Sequence, residues 1–439
     1  MPEVSKKITG EIEISPEIIQ KIEKEIKSVS DFKEKIEAVL TKSITEILEV
    51  ILGGAISLNA SDIHIEPREE EVKIRTRIDG VLQDVLLLKK EVYEELLSRI
   101  KLLSGLKLNI TDRPQDGRFS IAFTGKLGAQ TIEIRTSALP AEYGESIVLR
   151  ILNPKSLIDM EALGLREDLF GLFKKEIKKP NGMIIVTGPT GCGKTTTLYA
   201  FLRKIQSPEI KIITIEDPIE YHLEGISQTQ VDPGKGYDFA HGLRAIVRQD
   251  PDVILVGEIR DLETVETALQ SALTGHLVFT TLHTNDAAGT VARLTNLGAK
   301  SSNIGPAVNM AIAQRLIRKV CQKCREFKKI SPEELKKLKK ELSSLKAIKI
   351  PKLFPGLKIT KIKGCKYCNH TGYRGRIGIF EAFLLDDEME KFILKNPSIA
   401  ELKEKAKKKG MVAMSQDGLI KVLEGVTTIE EVERVTGEQ

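Results

Sequence analysis

The sequence predicts an α/β protein, with a core domain on a mainly parallel sheet, a small α+β domain before it, and a cysteine-bearing insert and helices after it. Three observations predict this. From Met183 to Thr281 four apolar runs, MIIVT, KIITI, DVILV and LVFTT, are separated by helical segments, the pattern of a parallel sheet covered on both faces. Between Ser61 and Leu152 polar and apolar residues alternate in several short runs, as in half-buried strands. A glycine-rich turn, GPTGCGKT, joins the first core run to a helix-forming stretch.

The 439 residues leave room for two to four domains at ~100–200 residues each. A hydrophobic fraction of 41% supports a sizeable core and excludes wholesale disorder. No run reaches bilayer length, and the N-terminus MPEVSKKITGEIEIS lacks a signal peptide's apolar stretch, so a cytosolic protein is expected. Net charge is +5 on 67 basic and 62 acidic residues, Trp is absent and aromatics are 5%. Interspersed charge and few aromatic platforms argue against direct nucleic-acid binding. The Lys/Glu richness suits surface ion-pair networks.

In chain order, residues 1–45 carry Glu, Lys and Ile at helical spacing, as in IIQKIEKEIKSV, and predict an N-terminal helical or linker segment. Residues 46–152 predict the α+β domain. SDIHIEP is a strand; EVKIRTRIDGVLQDVLL is a hairpin turning at Asp79-Gly80; EVYEELLSRIKLLSG is a helix stopped at Gly105. After the polar loop NITDRPQDGR come the strands RFSIAF, QTIEIRTSAL and ESIVLRIL. Residues 153–168, including NPKSLIDMEALGL, read as a linker, and 169–318 as the core. Residues 319–378 hold two C-x-x-C pairs around the Lys-rich helix SPEELKKLKKELSSLK, and 379–439 read as helical.

The turn Gly188 to Thr195 fits G-x-x-x-x-G-K-T between a strand and a helix, the setting a P-loop requires. Gly188, Pro189, Thr190, Gly191, Cys192, Gly193, Lys194, Thr195 and Thr196 are therefore the candidate nucleotide cradle. Glycines let backbone N–H groups wrap phosphates, and the helix N-terminus adds partial positive charge. Lys194 would neutralise β/γ-phosphate charge and Thr195 would ligate Mg2+. The other three core strands end in Glu216-Asp217-Pro218, Gly257-Glu258 and Leu282-His283, and ligands of open α/β sheets sit beyond the carboxyl ends of strands. ATP hydrolysis needs magnesium, an oriented water and offset charge. Glu258 is the candidate to orient or deprotonate the water, Glu216 to position magnesium directly or through its water shell, and His283 to hydrogen-bond the γ-phosphate. A packed strand-end histidine is the alternative for His283 and for His276 in TGHL.

Cys321, Cys324, Cys365 and Cys368 match a structural Zn2+ site of four thiolates with no open position. Redox chemistry is the alternative, without a strand–C-x-x-C–helix setting to support it. His370 is not expected to ligate. Asp62, His64 and Glu66 share one face of SDIHIEP, either as metal ligands or as a hydrogen-bonded polar face.

GPTGCGKTTTLYA, TIEDPIEY, LRAIVRQDPDVILVGEIRD and TGHLVFTTLHTNDA resemble the motifs of type II secretion and type IV pilus assembly ATPases. ASDIHIEP and RPQDGRFS upstream, and GCKYCNHTGYRGRIGIFE and MSQDGLIKVLEGVTTIEEV downstream, extend the resemblance over residues 46–435. It implies a RecA-like P-loop core preceded by a PAS-like domain. It implies a homohexameric, Mg-dependent ATPase motor for pseudopilin or pilin assembly, in the cytoplasm and peripheral to the inner membrane, acting on a platform protein and a cytoplasmic recruitment protein. The cysteine pairs favour secretion or pilus extension over retraction. The resemblance also assigns Arg118 and Arg135, with Arg113 a third, to the γ-phosphate, against salt bridges to Asp112 or Asp116. Arg244, Arg248 and Arg260 would serve subunit contacts or pair with acids. Many such ATPases carry a further docking domain before the segment like ASDIHIEP; this sequence has residues 1–45 there, which leaves that route of recruitment undecided. A nucleic-acid translocase and a non-hydrolysing ATP-binding assembly module are the alternatives.

Overall fold

The computed structural model describes residues 10–125, 128–154, 157–345, 348 and 350–437. Residues 1–9 of the expected N-terminal segment, 155–156 of the expected linker and 346, 347 and 349 of the insert lie outside the described residues. The chain divides into two units. The first holds the residues before Leu157 together with Cys321–Cys324 and Lys363–Arg374; the second holds the rest.

The first unit runs β1 (Glu11–Glu13), α1 (Pro16–Glu25), α2 (Val29–Glu37), α3 (Ile44–Ser57), β2 (Asp62–Pro67), β3 (Glu71–Ile78), β4 (Val81–Lys89), α4 (Lys90–Leu103), β5 (Gln115–Gly125), β6 (Gly128–Ala141) and β7 (Gly144–Leu152). Its sheet has the order β1-β5-β6-β7-β2-β3-β4. Ser15, Ser28 and Ser43 each cap a helix, accepting from the N–H groups of Ile18, Asp31 and Glu46, which satisfies donors that a helix start leaves orphaned. The β3–β4 hairpin turns on Asp79 (φ 51) and Gly80 (φ 82), both left-handed as a tight turn of this twist requires. Residues 10–45 do more than lead into the domain. Ile12, Ile22, Ile26, Phe32 and Ile36 are buried in one core with Leu48, Ile63, Ile74 and Leu149, because β1 adds to the sheet edge beside β5 and α1 and α2 lie against α3.

The second unit continues with α5 (Glu167–Glu176), β8 (Gly182–Thr187), α6 (Lys194–Ile205), β9 (Ile212–Glu216), β10 (Ser227–Gln230), α7 (Phe239–Val247), β11 (Val253–Val256), α8 (Leu262–Leu273), β12 (Leu277–Leu282), α9 (Gly289–Asn296), α10 (Ser301–Ala307) and β13 (Val308–Val320). It ends with β14 (Glu326–Lys329), α11 (Pro332–Leu342), β15 (Lys358–Lys361), β16 (Tyr373–Leu384), α12 (Asp387–Ile393), α13 (Ile399–Lys408), α14 (Met414–Leu423) and α15 (Ile429–Thr436). The central sheet is ordered β10-β9-β11-β12-β8-β13-β16. The six strands from β10 to β13 are parallel. Every residue of β8, β9, β11 and β12 is buried, which is why each reads as a continuous apolar run rather than an alternating one.

Two expectations change here. Residues 379–384, assigned to a helical C-terminal region, are strand: β16 is an edge of the central sheet, with Ile379, Phe380, Ala382 and Phe383 buried. A both-sided apolar run of this length does not distinguish a buried strand from a helix. The Lys-rich insert also forms no common core with the cysteines. Leu335, Leu338 and Leu342 of α11 pack with Leu419, Ile420 and Val432 of α14 and α15, while all four cysteines group with the first unit.

Candidate active site

Parallel pairing brings the carboxyl ends of β8, β9, β11 and β12 to one edge of the central sheet. There the P-loop follows β8, with Gly188 at φ 146, Gly191 at φ 77 and Gly193 at φ 89, backbone that side chains other than glycine rarely adopt. A Cβ on Gly188 would stand 2.5 Å from the Gln314 carbonyl oxygen, and one on Gly193 2.9 Å from Gln314 Nε2, whereas Gly191 faces open space. The loop is thus closed on its buried side and open on the other, the shape of a phosphate cradle. Lys194 opens α6 and donates to the carbonyls of Gly188 at 2.8 Å and Pro189 at 3.3 Å. Burial lowers its pKa, opposed by the charges of Cys192 and Glu258.

Glu258 stands where β11 ends. Gly257 before it sits in a close approach: its N–H donates to Ile215 O at 2.8 Å, and a Cβ would come within 3.2 Å of that oxygen and 3.3 Å of Glu216 Cα. An aspartate there would press against the end of β9. Thr281 Oγ1 donates to Gly257 O at 2.7 Å from the other neighbour strand, so the residue before Glu258 is held on both sides. The Glu258 carboxylate pairs with Arg260, and His283 Nε2 lies 3.6 Å from it.

Burial lowers the His283 pKa, helped by Lys194, Arg260 and Arg293 and opposed by Glu258, so the imidazole is neutral at pH 7. If the neutral ring is the working form, hydrolysis falls as pH drops past a midpoint below histidine's ordinary 6.5. His283→Asn is expected to lose that acid limb, and pH–rate profiles of both proteins check it.

Glu216 is placed differently from Glu258. It is 3% exposed, and its carboxylate accepts from Tyr199 Oη, from Thr214 Oγ1 at 2.6 Å and from Gln228 Nε2 at 3.2 Å. Burial raises its pKa. The acid at this strand end that reaches the Glu258 group is Asp217, 3.8 Å from Arg260 Nη1. His276 precedes β12 and His283 follows it, so the two stand at opposite ends of a strand about 20 Å long. His276 Nδ1 lies 3.1 Å from Ser271 O.

Arg118 and Arg135 belong to the first unit, directly opposite each other on β5 and β6. Each pairs with Glu133, at 4.0 and 3.6 Å. Arg113 is exposed and Arg244 pairs with Glu263. Asp62 is buried and bridged to Arg150 at 3.0 Å and Arg77 at 3.4 Å, and Glu66 pairs with Arg75. The SDIHIEP face is therefore a salt-bridged strand face.

The four cysteine sulfurs lie within 4.8 Å of one another, the one candidate metal cluster among the described residues. Cys321–Cys365, Cys324–Cys368 and Cys365–Cys368 stand at 4.0, 3.7 and 3.8 Å. Tetrahedral zinc with sulfur at about 2.3 Å sets its ligands about 3.8 Å apart, far from the ~2.05 Å of a disulfide. Backbone N–H groups of Cys365 and Gly372 donate to Cys368 Sγ, as such sites require to offset thiolate charge. The geometry fits zinc.

Two residues at the site gave no sequence signal. Gln314 of β13 is 2% exposed, accepts from Thr197 Oγ1 at 2.6 Å and donates to Cys192 O at 2.9 Å. Glu381 of β16 accepts from Ala287 N at 2.8 Å and Met414 N at 3.1 Å, tying the loop after His283 to the start of α14. Gln314 acts across 117 and 122 residues of chain and Glu381 across 94 and 33, beyond the reach of any local motif.

A family model described as type II/IV secretion system protein matches residues 37–434. The chain belongs to that family. Among relatives of this secretion family, "Type II secretion system ATPase E" of Vibrio cholerae is 44% identical over 402 residues, covering 90% of this chain and 76% of that one. "Type IV pilus assembly ATPase PilB" of Thermus thermophilus is 42% identical over 388 residues, 88% of this chain but 42% of the relative's length. The crystal structure of the pilus retraction motor PilT with bound ADP aligns at TM-score 0.58 and 28% identity, over 88% of this chain and 96% of that one. The P-loop therefore sits in a secretion-family ATPase. Among the described residues no helix is long and apolar enough to cross a membrane.

Proposed function

We propose that this ATPase is the motor subunit of a type II secretion or type IV pilus assembly machine, using magnesium-dependent ATP hydrolysis to drive pseudopilin or pilin assembly. The observation that supports it most is the P-loop after β8 with Glu258 and His283, 3.6 Å apart, following β11 and β12 at the same edge of the parallel sheet. Backbone N–H groups and Lys194 would hold the phosphates, and Glu258 would orient and deprotonate the attacking water. Magnesium, when bound, would offset phosphate charge, and Thr195 would hold it. Glu216, with three donors on its carboxylate, would act on magnesium through its surroundings rather than as a direct ligand. Arg118 and Arg135 would supply charge to the γ-phosphate, as an arginine finger does.

By family resemblance the working form is a ring of six such subunits in the cytoplasm. It would be peripheral to the inner membrane through a platform protein and a recruitment protein. Phosphate release from Mg-ATP, lost in Lys194→Ala and indifferent to added DNA, is the expected result. Stimulation by DNA would favour a translocase instead. The cysteine cluster is proposed to hold one zinc as a structural element. Elemental analysis is expected to give about one zinc per chain, and content well below that overturns the assignment.

A further inference from the structure

We propose that Gln314 is a positioning residue for nucleotide binding, which fixes the peptide that presents the Gly193 N–H to phosphate. The proposal rests on reading Gly188–Thr195 as the nucleotide cradle. A trans peptide holds its C=O and N–H on opposite sides, so whatever holds the Cys192 carbonyl also aims the Gly193 N–H. Gln314 Nε2 donates to Cys192 O at 2.9 Å from the buried side, which turns the Gly193 N–H toward the open side. A flipped amide would set its oxygen against the Cys192 carbonyl, which can only accept, and in the present orientation that oxygen accepts from Thr197 Oγ1 at 2.6 Å. Thr197 is fully buried on α6, and its own N–H donates to Gly193 O at 3.0 Å.

One buried amide thus links β13, the loop and the first turn of α6. Glycine at 193 leaves room for it, since a Cβ would meet Gln314 Nε2 at 2.9 Å. Without the donor, the Cys192 carbonyl is left unpaired in a buried setting, and the peptide gains by turning toward water. The cradle would then lose one inward N–H while keeping Lys194 and Thr195.

The test uses the full chain, with Mg-ADP titration for affinity, steady-state phosphate release for KM and kcat, and thermal melting. Gln314→Leu is expected to weaken Mg-ADP about tenfold and raise KM similarly, with kcat changed far less, the signature of lost uniform binding. Gln314→Glu keeps an acceptor for Thr197 but sets a carboxylate against the Cys192 carbonyl, and is expected to weaken binding at least as much. Thr197→Val removes the hydroxyl that anchors the Gln314 amide while leaving Gln314 in place, and is expected to weaken binding a few-fold, about 2–5. This variant carries the test if Gln314→Leu fails to fold.

A Gln314→Leu or Thr197→Val protein that melts lower yet binds Mg-ADP like the parent overturns the proposal. Lys194→Ala separates the two levels. If it too binds Mg-ADP normally, the cradle reading has failed. If it loses binding while the Gln314 and Thr197 variants do not, only the positioning role has.

Discussion

Replacing Glu258 with glutamine is expected to leave ATP bound and to stop its hydrolysis. The substitution keeps the side chain's shape at the end of β11, where the N–H and C=O of Gly257 are paired with Ile215 and Thr281. It removes the carboxylate charge that faces Arg260 and lies 3.6 Å from His283. A positioned general base contributes roughly 10²–10⁴ in rate, so turnover is expected to fall by about that factor. Affinity is expected to hold, because the phosphates would rest on backbone N–H groups and Lys194. Losing the negative charge near Lys194 acts, if anything, to strengthen anion binding. Phosphate release measured beside nucleotide binding checks both halves, and normal turnover in the variant would show that another group activates the water.

Lys101→Met is expected to destabilise the first unit far more than any exposed substitution. Lys101 is 1% and Glu145 4% exposed; the ammonium spans both carboxylate oxygens at 2.9 and 2.8 Å and donates to Ile110 O at 2.7 Å. Removing one partner of such a pair strands the other charge out of water, a loss of about 3–5 kcal/mol. Thermal melting is expected to show that unit's transition fall by roughly 10 °C. The double variant Lys101→Met with Glu145→Leu is expected to recover much of the loss, because an apolar replacement leaves no buried charge behind. If the single variant melts like the parent, the pair is not buried in solution as it is here.

Lys101 also shows where sequence reading stops. Its helix is evident from apolar spacing in EVYEELLSRIKLLSG, but nothing in that spacing tells an inward lysine from a solvated one. Its partner arrives from β7, more than forty residues later. Gly257 is the opposite lesson. The sequence shows only a glycine before Glu258, and the structure gives it a packing reason, because a Cβ there would stand 3.2 Å from Ile215 O on β9.

What the sequence by itself determined is local. The P-loop, the four buried runs that become β8, β9, β11 and β12, the Asp79-Gly80 turn and the two cysteine pairs each declare themselves within a dozen residues, because phosphate cradles, buried strands, tight turns and thiolate pairs impose short fixed spacings. Tertiary structure decided which acid meets which partner. It committed Glu216 to Tyr199, Thr214 and Gln228, brought Asp217 to Arg260, and separated His276 from His283 by the length of β12. It also made β16 a strand, drew residues 10–45 into the first core, and set Gln314 under the P-loop. These outcomes depend on which strands become neighbours. That is fixed by burial summed over the whole sheet, a quantity no short stretch of sequence contains.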